Sequence, residues 1–142
     1  MEKKYDIAAI GTIAYDMILR TVDETVFTRD TTLLGEVGVS PGGAAMTQTI
    51  IASRLGCRTA IAGKVCDDTF SEYLLRELEK AGVDTTHIVH SKEDSMSLTF
   101  ALVKPDGTRH FLGLAGSNNQ SLCLEDFCLE LVTQARIVSY GS

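Results

Sequence analysis

The sequence predicts an α/β fold, with a mainly parallel sheet flanked by helices and a second, smaller sheet beside it. Strand-like and amphipathic helical segments alternate along much of the chain, as in parallel sheets built from strand–helix–strand units. The first strand, Tyr5–Gly11, is nearly all apolar, which is typical of a central parallel strand. The region 16–40 and a hairpin around Pro105-Asp-Gly107 break the alternation and predict the second sheet.

The first third of the chain supplies short strands and one helix of small residues. Strand candidates at Asp16–Arg20 and Leu33–Ser40 flank a polar, Thr-rich loop. Pro41-Gly42-Gly43 interrupts the second candidate, because proline and two glycines disfavour a continuing strand. A helix is predicted from Ala44 to about Leu55, where Gly56 ends it.

The middle of the chain contains the clearest helix. A strand at Arg58–Val65 precedes it, and Asp67 or Asp68 can cap it. Gly82 stands where a left-handed residue ends helices. One apolar face is expected to be buried, formed by Phe70, Leu74, Leu75, Leu78 and Ala81.

The last third predicts a hairpin, a helix and a strand. A short strand near His87–His90 leads to the hairpin strands Ser97–Val103 and Arg109–Leu114. A final strand is predicted at Arg136–Tyr140, and since a domain seldom stops at an apolar strand, we expect a longer parent protein. The helix between the hairpin and this final strand, about Glu125–Gln134, is expected to bury Phe127, Cys128, Leu131 and Val132.

Composition excludes several classes of protein. Hydrophobic residues are 44% and charged residues 23% of 142, the proportions of a soluble globular domain and not of a disordered or collagen-like chain. The formal charge of −6, without a run of Lys or Arg, argues against nucleic acid or an anionic membrane as partner. No apolar stretch approaches the ~20 residues of a membrane span, and no signal peptide is recognisable, so we expect a cytoplasmic protein.

Cysteine and histidine spacing does not predict a metal site. The four cysteines form no Cys-x-x-Cys pair, and His87 and His90 point to opposite faces of a strand. In a cytoplasmic protein the cysteines are expected to be reduced, buried, small apolar residues. No Gly-x-Gly-x-x-Gly or Walker-type phosphate loop is present.

Two features could carry chemistry. Gly42-Gly43 opens a helix of small residues, where backbone N–H groups can approach an oxygen-rich or anionic ligand, although close helix–sheet packing explains the same residues. Asp16 follows the first strand, and its carboxylate oxygens can accept hydrogen bonds from vicinal hydroxyls. An ordinary turn or cap aspartate is the alternative. Ligands of α/β proteins usually bind at the carboxyl edge of the parallel sheet, which favours a site here.

Over essentially its whole length the chain resembles the N-terminal half of ribokinase-like (PfkB-type) carbohydrate kinases. Single motifs would be weak, and their order and spacing make the resemblance specific. The matching segments are Gly11-Thr-Ile-Ala-Tyr-Asp16, Gly42-Gly43 through Ser53-Arg54-Leu55-Gly56, Ala62-Gly-Lys-Val-Cys-Asp-Asp-Thr-Phe70, Leu78-x-x-Ala-Gly-Val-Asp84-Thr, Val103-Lys-Pro-Asp-Gly-Thr108 and Ala115-Gly-Ser-Asn118.

The resemblance implies the N-terminal portion, residues 1–142, of an ATP-dependent kinase that phosphorylates a sugar hydroxyl. It also implies that strands at about 16–20, 33–39 and 97–113 form a small β lid. In the family, two such lids often pair to form a homodimer. The implied substrate-binding residues are Asp16, Gly42, Gly43, Thr47, Thr99 and Gly113. The family's Gly-Ala-Gly-Asp catalytic motif is absent, so no catalytic residue is assigned before Ser142, and this chain alone is expected to be inactive and to bind neither ATP nor Mg²⁺.

Three residues depart from the family pattern. Thr47 replaces a sugar-binding Asn and has a shorter reach and no amide. Ala14 stands where another Asn is frequent, and both changes put the identity of the sugar in doubt. Cys66 replaces a glycine, which matters if the backbone φ there is positive.

The alternatives belong to different functional classes. A complete, non-catalytic sugar-binding or regulatory module would tolerate Thr47 and Ala14, and a fragment of a nucleoside kinase has the same motifs. An unrelated α/β domain with purely structural glycines is the third possibility. The sequence does not identify the sugar or nucleoside.

Overall fold

The computed structural model describes residues 2–115 and 117–141, and their strands form two four-stranded sheets. Gly116 of the Ala115–Asn118 motif lies outside the described residues. The strands of the first sheet, in the order β5-β4-β1-β8, are all parallel. They are β1 (Tyr5–Gly11), β4 (Thr59–Cys66), β5 (Asp84–Ser91) and β8 (Ala135–Gly141).

Helices cover both faces of the first sheet. The helices α1 (Ala44–Arg54) and α2 (Thr69–Ala81) pack on one face, and the short α3 (Leu129–Gln134) packs on the other. Every residue of β4 is buried, because this strand has a neighbour on each side and helices above and below. No helix among the described residues is long and apolar enough to cross a membrane.

The second sheet, which the sequence predicted outside the strand–helix alternation, is mixed. Its order is β3-β2-β6-β7; the β2–β6 pair is parallel and the two outer pairs are antiparallel. These strands are β2 (Ala14–Arg20), β3 (Glu36–Gly42), β6 (Leu98–Val103) and β7 (Arg109–Gly113). A short 3-10 helix at Glu24–Phe27 interrupts the predicted loop between β2 and β3.

The α2 prediction is confirmed. The Asp68 carboxylate accepts a hydrogen bond from the Ser71 N–H (2.8 Å), so Asp68 and not Asp67 is the cap. Gly82 ends the helix at φ +79°. Of the predicted face, Leu74 and Leu78 are fully buried, and the remaining three residues pack partly buried against the same core.

The predicted strand at Leu33–Ser40 was displaced. The observed β3 begins at Glu36 and includes both Pro41 and Gly42, which the sequence had placed in a break. Proline is tolerated there because β3 is an edge strand, where a missing N–H costs no ladder bond. The break falls at Gly43, whose φ of +87° is open to glycine alone at low cost.

The predicted helix at Glu125–Gln134 was wrong in extent and in burial. It divides into a 3-10 turn at Leu124–Asp126 and the short α3, because the Asp126 carboxylate turns back to accept from the Cys123 N–H (2.9 Å). Leu131 is fully buried and Phe127 partly buried, whereas Cys128 is exposed and Val132 is 40% exposed. Cys123 is exposed too and Cys57 is only half-buried, so of the four cysteines expected to be buried only Cys66 is.

Candidate functional site

The residues predicted from the second sheet lie in one row across it. Asp16 on β2 stands in register with Ser40 on β3 and with Thr99 on β6, and Thr99 stands in register with Gly113 on β7. Asp16 is the third residue of β2, because this strand begins at Ala14, two residues before the predicted start at Asp16. The sheet brings Asp16, Thr99 and Gly113 together on the same face.

Gly42 lies directly beneath Asp16. A Cβ built on Gly42 would be 2.4 Å from both Cγ and Oδ2 of Asp16, so only glycine lets the carboxylate occupy this place. The φ of Gly42 is not in the left-handed region, and the requirement is therefore one of space. The contact links the two candidates that the sequence had considered separately.

Burial is the dominant influence on the Asp16 carboxyl. It raises the pKa of Asp16, and a hydrogen bond from the Thr99 hydroxyl lowers it again in part. A half-buried carboxylate with one hydroxyl partner keeps lone pairs for further donors. It can accept hydrogen bonds from the hydroxyls of a polar, uncharged ligand.

The sequence offered no signal for how α1 is capped. Gly43, its N-cap, has no side chain, and the Thr12 hydroxyl from the β1–β2 link accepts from the Ala44 N–H instead (3.0 Å). The Thr12 N–H donates to the Gly141 carbonyl at the end of β8 (2.9 Å). Thr12 thus joins the start of α1 to the carboxyl edge of the first sheet.

The three departures from the family pattern have different surroundings. Thr47 is exposed on α1, and its side chain has no hydrogen-bond partner among the described residues. Ala14 is buried opposite Gly42 in the β2–β3 register. Thr21 is the only non-glycine among the described residues with positive φ, so Cys66 is free of that strain.

A cleft of about 480 Å³ extends along the Asp16 face of the second sheet. Near its far end, Arg20 Nε is 3.3 Å from Glu36 Oε2. The Arg109 guanidinium carbon lies over the Phe111 ring, 5.9 Å from the ring centre. The cleft walls are polar and charged at both ends. They are formed by Asp16, Ile18, Arg20, Ala101, Val103, Gly107, Arg109 and Phe111.

A buried cation lies at the carboxyl end of β4. Lys64 Nζ is 2.9 Å from the Asp126 carboxylate and donates to the Ser121 carbonyl (3.0 Å), and the two charged side chains are only 10% and 14% exposed. Hydrogen bonding to Asp126 raises the pKa of Lys64. The pair fastens the segment after β7 to the first sheet.

Within the described residues, no group of three or more His, Cys, Asp or Glu side chains converges as a metal centre would. The donor set assembled here consists of a carboxylate, hydroxyls and backbone groups, which suits a polyhydroxylated ligand.

The sequence is similar to known sugar kinases. A family model for pfkB family carbohydrate kinases matches residues 4–142. An uncharacterised sugar kinase of Pyrococcus horikoshii is 33% identical over 136 residues, which are 96% of this chain and 42% of that protein. Fructokinase-1 of Zea mays is 34% identical over 104 residues, which are 72% of this chain and 32% of the maize protein. The chain spans less than half of the length of these relatives.

Solved structures show the same fold. The Pyrococcus sugar kinase in complex with ATP superposes with a TM-score of 0.80 at 31% identity, over 94% of this chain and 42% of that one. A fructokinase of Xylella fastidiosa with bound ATP gives a TM-score of 0.79 at 20% identity, over 96% of this chain and 42% of that one. The superpositions confirm the fold expected from the resemblance.

Proposed function

Because the chain belongs to the pfkB family of carbohydrate kinases, we propose that it is the sugar-binding portion of an ATP-dependent kinase. The longer protein transfers a phosphoryl group to a hydroxyl of a sugar or a related small molecule. The observation that carries this proposal is the place of the Asp16 carboxylate, half-buried over Gly42 and beside Thr99. An acceptor-only group in that setting selects hydroxyl donors.

The substrate-binding residues that we propose share one region. Asp16 accepts from two hydroxyls of the sugar, and Gly42 and Gly43 bring backbone close to it. Thr99 stands in register with Asp16 on the neighbouring strand, and its hydroxyl orients that carboxylate. Thr47 and the backbone of Gly113, which is exposed with open space above its Cα, border the ligand.

The second sheet acts as a lid in this proposal. It orients the acceptor hydroxyl through Asp16 and keeps water away from it, so that the sugar and not water receives the phosphoryl group. Fixing a reactant in one orientation contributes to rate without any change in its chemistry.

We assign ATP and Mg²⁺ to the part of the longer protein that this chain does not contain. Support comes from the solved relatives that hold ATP, which are more than twice as long as this chain, since it covers 42% of each. The catalytic base belongs to that same part. On this proposal the 142-residue chain binds sugar and has no turnover of its own.

A homodimer formed through the lid and a cytoplasmic location complete the proposal. On the face opposite Asp16, the lid strands expose large apolar side chains that an isolated sheet would leave in water: Val37 55%, Val39 46% and Leu112 55%. A second copy of the same sheet would cover them. The four free thiols suit a reducing compartment.

Ligand-dependent thermal stabilisation tests the sugar-binding role. The chain is melted alone and with fructose, ribose, a keto-deoxy sugar acid, adenosine or glycerol, and a ligand at 100 times its Kd stabilises by about 2.7 kcal/mol. We expect one sugar to raise the Tm of the wild-type chain and not that of Asp16→Asn. A folded chain whose Tm responds to no sugar or nucleoside contradicts the proposal. A different pair of results favours the non-catalytic module: sugar stabilises the chain, but a longer protein that contains the chain shows no turnover with Mg-ATP.

A further inference from the structure

We propose that the adjacent amides of Asn118 and Asn119 are positioning groups, which fix how the second sheet is held against the first. The role of the amides in sugar affinity rests on the proposed function, whereas their role in holding the sheets does not. Both residues follow β7, and both reach back more than 100 positions to the β1–β2 link. This link carries the chain from the first sheet into β2 and so towards Asp16.

The side-chain amide of Asn119 forms two hydrogen bonds with the backbone of Ile13, much as a residue on a neighbouring strand would. Its Oδ1 accepts from the Ile13 N–H (3.1 Å), and its Nδ2 donates to the Ile13 carbonyl (3.0 Å). Ile13 lies between the two sheets, outside β1 and β2, and its side chain is fully buried against Gly63. A side-chain amide carries a donor and an acceptor on separate atoms, so one group can bond to both the N–H and the carbonyl of a backbone residue.

Asn118 extends the same connection to two other segments. Its side chain is fully buried, and its Nδ2 donates to the carbonyls of Ile13 (3.4 Å) and of Lys64 at the end of β4. Its Oδ1 accepts from the Ser97 N–H (2.7 Å), and its backbone N–H donates to the Ser95 carbonyl (2.8 Å). Ser95 and Ser97 lie in the link from β5 to β6.

These contacts join, at one point, the three chain segments that connect the two sheets. The β1–β2 link, the β5–β6 link and the chain leaving β7 are held together, and Lys64 ties them to the first sheet. Asp16 follows Ile13 by three positions, and Thr99 follows Ser97 by two. A tilt of the second sheet would therefore move Asp16 and Thr99 relative to Gly43 and the start of α1.

The first test measures the arrangement of the sheets without any ligand. Spin labels at His110 on β7 and Glu79 on α2, both exposed, report the distance between the two parts, with Cys57, Cys123 and Cys128 replaced by serine. We expect Asn119→Ala to broaden or shift the distance distribution. Asn119→Gln keeps both amide functions and should restore much of the wild-type distribution.

Tyr5→Phe is the matched control for this test. It also removes a side-chain hydrogen bond (2.6 Å to Asp84), but at the opposite end of the first sheet, so it should lower the Tm without changing the distance. Asn119 is half-buried, so water can reach Ile13 when the amide is removed, and Asn119→Ala should still fold. A wild-type distance distribution in folded Asn119→Ala overturns the proposal.

The second test measures sugar affinity by titration calorimetry. Loss of the two Ile13 hydrogen bonds should weaken binding about tenfold in Asn119→Ala. Tyr5→Phe should bind as wild type does. Equal weakening in both variants would mean a general loss of stability and would overturn the positioning role. If no sugar binds to the wild-type chain, the proposed function fails, and the distance measurement still decides this proposal.

Discussion

The Asp16 carboxylate rests against the Cα of Gly42, where a Cβ would stand 2.4 Å from Asp16 Cγ. The glycine is needed for the space that the carboxylate occupies and not for a left-handed backbone. Gly42 belongs to the candidate site because its lack of a side chain leaves room for the Asp16 carboxylate. The neighbouring Gly43 is required for a different reason, its φ of +87° at the start of α1.

Gly42→Ala should displace Asp16 and weaken sugar binding. The carboxylate must move because the new methyl group would overlap it, whereas the backbone of β3 can accept alanine. We expect roughly a tenfold or greater loss of affinity, the effect of losing one hydrogen bond to a charged group. Titration calorimetry measures it.

Gly38→Ala is the control on the same strand. A Cβ at Gly38 would meet only Ile18 Cβ at 3.8 Å, an ordinary contact, so affinity should stay within about twofold of wild type. Equal losses in the two variants would show that β3 as a whole is sensitive. Wild-type affinity in Gly42→Ala would show that Asp16 does not bind the sugar from this position.

Asp16→Asn should stabilise the unliganded chain while it weakens sugar binding. Burial raises the pKa of Asp16, so the folded state holds this proton more tightly than the unfolded state does. Stability from this group is therefore present at low pH and is lost as the pH rises through the folded pKa. Removing the charge should raise the Tm at pH 7 and leave it little changed at pH 3. A lower Tm at pH 7 would contradict this account.

Asp84 should contribute stability that acid removes. Burial by itself would raise the pKa of Asp84, but hydrogen bonds from Tyr5 (2.6 Å), Thr86 (2.7 Å) and Lys4 (3.3 Å) hold it well below its usual range. Because the pKa of Asp84 is lower in the folded state, this carboxylate stabilises the fold at pH values above its unfolded pKa of about 3.9. That stabilisation is lost as the pH falls below this value.

Asp84→Asn tests that pH dependence. At pH 7 the variant should be about 2 kcal/mol less stable than wild type, because the hydrogen bonds lose their charged acceptor. The difference in unfolding free energy should shrink steadily between pH 4 and pH 2. Urea unfolding at several pH values measures it. A difference that stays constant over that range would assign the effect to packing.

The Lys64–Asp126 pair should show strong coupling. Lys64→Met leaves Asp126 without its partner in a nearly buried site and should cost about 3 kcal/mol. Asp126→Asn should cost less, because Lys64 keeps the Ser121 carbonyl at 3.0 Å. The double variant should lose less than the sum of the two single losses in urea unfolding. Additive losses would mean that the two charges do not stabilise one another.

Local patterns were sufficient for elements whose signals agree. In α2 the cap Asp68, the buried stripe of Leu74 and Leu78, and the terminal Gly82 all indicate one helix. The segment after Cys123 had an equally helical apolar pattern but formed only the short α3, because Asp126 became bound to the Cys123 N–H and to Lys64. A partner 62 positions away leaves no trace in a local pattern.

The sequence alone predicted the α/β class, the strand candidates of both sheets and the choice of Asp16 and Gly42 as candidate site residues, because periodicity, turn residues and motif order are local properties. Tertiary structure decided that the Asp16 carboxylate lies over Gly42, that Thr12 caps α1, and that Asn118 and Asn119 hold the β1–β2 link. These relationships depend on register and on contacts between distant segments. Such contacts arise only when the sheets pack, since a hydrogen bond or a close approach is set by distance in space and not by separation along the chain.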